Sequence, residues 1–133
     1  MNPRTVAAML LAPLLGFLCF LLPVVVFYGA AGLEKGQHSV NIISLVFERA
    51  PWSALALLAL AGFGLRYFAG RGTWVLPILL MSLFPLATVY GVLMDTGHHN
   101  TFLIEFLAQL IFFVPALAGS LAAAWLVKRR RAT

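Results

Sequence analysis

Four uncharged apolar runs divide the chain, and runs of that length leave little choice about the surrounding medium. Between Arg4 and Glu34 lie 29 uncharged residues; Ala50 to Leu65 gives 16, Gly72 to Met94 gives 23 and Phe106 to Val127 gives 22. A hydrocarbon core of about 30 Å is crossed by roughly 20 helical residues. The first, third and fourth runs can therefore span it with some tilt. The second is short, but Arg49 and Arg66 at its margins can extend their charged ends to the interfaces. The first run also exceeds the apolar centre of a secretory signal and lacks a small-residue cleavage site, so it reads as a retained helix. Only 13 of the 133 residues carry charge, 9 basic and 4 acidic. A soluble domain carries about a quarter, so a water-soluble globule is excluded. The expectation is an all-α integral membrane protein, a four-transmembrane-helix bundle forming one membrane domain over 1–133. Its spans fall at about 6–30, 51–69, 73–94 and 101–127. At this length a separate soluble catalytic domain does not fit. The lone cysteine, Cys19, excludes an intrachain disulfide.

Charge sets the expected orientation. Arg4, Arg66, Arg71, Lys128, Arg129, Arg130 and Arg131 fall in the two termini and the middle connection. The other two connections hold Lys35, Arg49 and all four acids, Glu34, Glu48, Asp95 and Glu105. By the positive-inside rule both termini are cytoplasmic and the acidic loops are external, in a bacterial inner membrane. The basic tail then reads as a stop-transfer cluster rather than a nucleic-acid site. Tyr28, Trp52, Tyr67, Trp74, Tyr90 and Trp125 stand near span ends, where half-wet rings suit the headgroup level or the bundle's own packing.

Shifting the chain against itself by about 61 residues aligns two halves, 1–70 and 71–133. Tyr28-Gly29 meets Tyr90-Gly91, Gly36-Gln37-His38 meets Gly97-His98-His99, and Ala59-Leu60-Ala61-Gly62 meets Ala116-Leu117-Ala118-Gly119. Pro13 and Pro23 answer Pro77 and Pro85. A true repeat of two crossings predicts a pseudo-two-fold axis along the membrane normal. Four extra residues in the first half lie around Phe47 to Pro51, where residues 40–49 could form a short interfacial helix and Pro51 could open the second span. In the second half Asn100 is a natural helix cap. Gly62, Gly64 and Gly70 with Ala59 and Ala61, and Gly119, Ser120, Ala122 and Ala123, give two small-residue faces that predict close packing, internal or to a partner. Pro13, Pro23, Pro77, Pro85 and Pro115 each remove a backbone donor and predict kinks.

Polar chemistry gathers on the external side. Glu48, Arg49, His99, Asn100, Glu105 and Gln109 form the candidate ligand-binding set. Glu48, Arg49 and Glu105 sit at margins of apolar runs, where an ion needs water, a partner or a proton. An Arg49–Glu105 pair is expected, and Asn41 or Ser44 could answer Gln109. His38, His98 and His99 with Asp95 are the candidate metal set, since imidazole and carboxylate are zinc and copper ligands. Adjacent histidines suit one metal poorly, so loop hydrogen bonding is the simpler role and no cofactor is assigned beyond an external divalent ion. The pattern Asp95-x-x-x-His99-Asn100-x-x-x-x-Glu105 resembles one found in small uncharacterised four-span bacterial membrane proteins, a resemblance that implies no activity. No Walker loop, dinucleotide fingerprint, nucleophile elbow or intramembrane aspartate pair occurs. The reading that follows is a non-enzymatic subunit or accessory of a membrane assembly, or a self-associating bundle, with lipids and another membrane protein or a second copy as partners and no nucleic acid. Two alternatives stand beside it: a small transporter or lipid- or ion-binding protein using the external pocket, and a membrane immunity protein.

Overall fold

The computed structural model describes residues 2–29, 46, 50–70, 74–94 and 102–132, with backbone alone at 91, 94, 102–105, 131 and 132. All regular structure among them is helical: α1 Pro3–Tyr28, α2 Ser53–Ala69, α3 Val75–Met81, α4 Leu83–Met94 and α5 Phe102–Ala132. Helix α1 opens on Asn2, whose side chain accepts the Arg4 N–H at 3.0 Å, with Pro3 in the first turn where its missing donor does no harm. Helix α2 begins two residues after Pro51, whose carbonyl accepts from Ala54 N–H at 2.9 Å. It stops at Gly70, which takes the left-handed conformation at φ 70° and donates to the Arg66 carbonyl. The proposed helix over 40–49 and the Asn100 cap lie outside the described residues; Val46 alone of that segment is described, and it is buried.

The third apolar run is two helices rather than one. Pro85 has no N–H to offer Met81, four residues back, and its ring crowds that carbonyl. Ser82 completes the interruption: its N–H and its hydroxyl both donate to the Leu79 carbonyl, at 3.1 and 2.8 Å. Pro13, Pro23 and Pro115, by contrast, lie inside unbroken helices. The expected kink thus becomes a break only where a second residue disturbs the same turn. Pro85→Ala is expected to restore the Met81 bond and join α3 to α4, slowing amide exchange over 81–86; unchanged exchange there would assign the break to packing instead.

Contacts at the helix ends fix their relative directions. The Thr5 hydroxyl donates to the Ala69 carbonyl at 3.2 Å, so the start of α1 lies beside the end of α2. Arg130 donates to the Tyr67 hydroxyl at 3.0 Å, which brings the end of α5 to the same place. Arg4, Arg66, Lys128, Arg129 and Arg130 therefore share one end of the bundle. Arg129 lies 5.4 Å from the Trp125 ring centre there, a cation–π contact. All six terminal aromatics are exposed, three at this end (Tyr67, Trp74, Trp125) and three at the other (Tyr28, Trp52, Tyr90).

The interior is dominated by Phe20, fully buried between Phe84 and Phe112, with ring centres 4.4 and 5.1 Å away. The most extensive interface joins α2 to α5. It closes because two glycines leave room for backbone: a Cβ on Gly62 would strike the Ala116 carbonyl, and one on Gly119 would strike the Ala59 carbonyl and approach the Phe63 nitrogen to 3.0 Å. The small-residue faces expected of these helices thus meet each other. Gly64, grouped with them by sequence, faces open space. In the same way Gly16 on α1 lets the backbone of Leu80 on α3 approach.

Outside this interior the surface is apolar, with Leu10 72% exposed, Val26 76% and Leu86 64%. Patches of that extent are rare on water-soluble monomers. Two helices, over Pro3–Tyr28 and Phe106–Arg130, are long and apolar enough to cross a membrane, and α2 is a shorter apolar helix.

Candidate functional site

Of the six residues expected to form the ligand-binding set, the structure describes the side chain of one. Gln109 sits on α5 and is 6% exposed. Glu105 lies in the first turn of the same helix, but its side chain is outside the described residues, as are Glu48, Arg49, His99 and Asn100. The candidate metal set, His38, His98, His99 and Asp95, falls outside them too, with Asn41 and Ser44. Among the described residues no three metal-ligating side chains stand together.

Gln109 is held by Thr88, a residue with no distinguishing signal in the sequence beyond a hydroxyl in an apolar run. The Thr88 hydroxyl donates its one proton to the Phe84 carbonyl at 3.1 Å. Its oxygen can then only accept, and it does so from the Gln109 amide nitrogen at 2.6 Å. That chain orients the amide and leaves the other end, Oε1, buried with no hydrogen-bond partner. An unpaired acceptor of this kind is the exception in folded interiors.

Gln109 also forms part of the wall of a groove of about 480 Å³ that opens on the side of the bundle. It lies beside the α3–α4 break and is lined by Ile78, Ser82, Pro85 and Leu86 on that side and by Phe106 and Leu110 of α5 on the other. Its volume lies within the roughly 300–1,000 Å³ of small-molecule sites. Apolar almost throughout, it is lined by two polar residues, Ser82, whose hydroxyl donates to the Leu79 carbonyl, and Gln109, whose Oε1 is buried. Chemically the arrangement can bind an elongated apolar group.

Thr88→Val would remove the hydroxyl and strand the whole Gln109 amide. Interhelical side-chain hydrogen bonds within membranes contribute about 0.6 and up to about 1.7 kcal/mol. A loss in that range is expected in a Thr88→Val, Gln109→Leu double-mutant cycle followed by unfolding in micelles, and zero coupling would refute the bond. Compared with known proteins, the chain matches no family, no curated protein and no solved structure.

Proposed function

We propose that this is a four-span protein of the bacterial inner membrane, both termini cytoplasmic, and that its work is non-catalytic binding of a lipid within the bilayer. The observation that carries the binding reading is the apolar groove between α3–α4 and α5. A groove open to the bilayer is loaded from the bilayer, and its apolar lining suits a hydrocarbon chain.

Four spans are supported by the joint behaviour of α3 and α4, which together run from Val75 to Met94, 20 positions and about 30 Å at 1.5 Å per residue. The shared basic end and the two sets of exposed aromatics support a membrane slab between them, with the basic end cytoplasmic. Two contacts support an origin in paired hairpins. Ala59–Gly62 and Ala116–Gly119 pack reciprocally, glycine of each on alanine of the other, as related surfaces do about a two-fold axis. Phe20 and Phe84 meet ring to ring, 64 positions apart like Pro13 and Pro77.

For the subunit or self-association reading, Gly62 and Gly119 pack inside the bundle, while Gly64 faces open space where a partner helix could still dock. Native mass spectrometry from mild detergent tests both readings at once. The lipid reading predicts a chain carrying a lipid adduct that Leu86→Trp, by filling the groove, strips away. A bare chain, or an adduct indifferent to Leu86→Trp, would overturn it; a constant heavier complex would return the assembly reading to first place.

A further inference from the structure

We infer that the basic end of the bundle is a docking surface for the head of an anionic phospholipid, held by Arg129 and Arg130 of α5 beside Arg66 of α2 and Arg4 of α1. The site is separate from the groove, which lies against the first half of α5. Basic residues beyond a span are enough to orient it, and orientation asks only that they be present in the sequence. The structure adds two features that orientation does not need. First, cations from three helices converge. The Thr5 bond to the Ala69 carbonyl, 3.2 Å, sets Arg4 beside the end of α2, and Arg130 reaches Tyr67, the neighbour of Arg66, at 3.0 Å. Second, two of the guanidinium groups are held in place, Arg130 on the Tyr67 hydroxyl and Arg129 at 5.4 Å from the Trp125 ring centre. Side chains positioned before a ligand arrives lose less freedom when it binds.

Charge and depth select the occupant. Arg4, Lys128, Arg129 and Arg130 are exposed, while all four acids belong by sequence to the segments that follow α1 and α4 or to the first turn of α5, at the other end. The surface therefore carries a field of one sign and attracts anions. Arg66 follows directly on Leu65, and Lys128 on Val127, the last residues of their apolar runs. Tyr67 and Trp125 stand at the same level with exposed rings. That is the height of the lipid headgroups, and cations so close to the hydrocarbon edge meet lipid phosphates first. A guanidinium offers paired N–H donors that match two phosphate oxygens, which suits arginine to this contact. The chains of the same lipid then lie along the exposed apolar flank of the bundle.

Phosphatidylglycerol and phosphatidylcholine of identical acyl composition share their chains, but the first carries a net negative charge and the second none. Wild-type protein in detergent micelles is titrated with an equimolar mixture of the two, and the retained lipids are identified by native mass spectrometry. The expected result at low salt is retention of phosphatidylglycerol over phosphatidylcholine by about five-fold or more, the worth of one cation near a charged surface. The preference should shrink as salt is added and fall toward about one-fold in an Arg129→Gln, Arg130→Gln double variant. Leu86→Trp should strip the groove adduct and keep the preference. Equal retention of both lipids by the wild type overturns the inference and leaves the groove reading intact, and that comparison needs no variant to fold. A preference that survives the double variant, or that Leu86→Trp abolishes, places the head elsewhere and overturns it equally. Release of the lipid by inorganic phosphate but not by chloride of the same ionic strength would assign the site to free phosphate instead.

Discussion

Gly119→Leu is expected to force α5 away from α2 and to destabilise the bundle by about 3 kcal/mol or more, the upper range for overpacking a filled interior. Its magnitude follows from what the new side chain meets. The obstacles are the Ala59 carbonyl and the Phe63 nitrogen, backbone atoms that cannot swing aside as a side chain would. Relief requires moving a whole helix, and α2 is tied at one end through Tyr67 to Arg130 and through Ala69 to Thr5. Gly64→Leu is the control, because that position faces open space on the same helix as Gly62. Thermal unfolding in detergent micelles is expected to show a large fall for the first and little change for the second. Equal effects would mean that the loss reflects glycine replacement in general and not the helix contact.

Phe20→Ala carries the next largest effect, about 3 kcal/mol, at the lower end of the range for emptying an aromatic site. The lower end applies because the unfolded reference for a membrane helix is lipid and not water, so the transfer contribution largely drops out and the cavity remains. Phe20 is in ring contact with both Phe84 and Phe112, which sit on different helices, so the cavity is central and cannot collapse from one side alone. Leu10→Ala on the exposed face of the same helix is expected to be nearly neutral. A Phe20→Ala protein as stable as Leu10→Ala in a micelle unfolding series would show that the aromatic cluster is not the centre of the bundle.

The helices were legible because a lack of charge over 16 to 29 residues is a coarse signal that local detail does not disturb. Helix α4 ends at Met94, where its run ends, whereas α2 continues through Arg66 to Ala69, where Gly70 stops it. The fifth helix continues to Ala132, through Arg129 and Arg130, since arginine and lysine are good helix formers and charge ends a span without ending a helix. The break at Ser82 was not legible from Pro85 alone. Pro13, Pro23 and Pro115 have the same local defect and stay in continuous helix, and the difference lies in the Ser82 hydroxyl competing for the Leu79 carbonyl.

Small residues on α2 and α5 announced a close approach but not its partner, which depends on how each helix is rotated about its axis. Gly62 and Gly64 differ only in that rotation, and one is buried against Ala116 while the other is open. At the candidate site Gln109 was legible as an amide in an apolar run. Thr88 was not, because a helical threonine can satisfy itself on the carbonyl four residues back and so gives no sign of needing company. The groove borders the break, and its lining was no more legible than the break itself.

The claim on which all of this depends is that the chain crosses the membrane four times with its basic end inside. Paired phosphatase and green-fluorescent reporters fused after Lys35, Arg71, Gly97 and Thr133 test it directly, since the phosphatase works only outside and the fluorophore matures only within the cytoplasm. Phosphatase activity after Lys35 and Gly97 with fluorescence after Arg71 and Thr133 is the expected pattern. Phosphatase activity at Thr133, or the same signal on both sides of α2, would contradict the account.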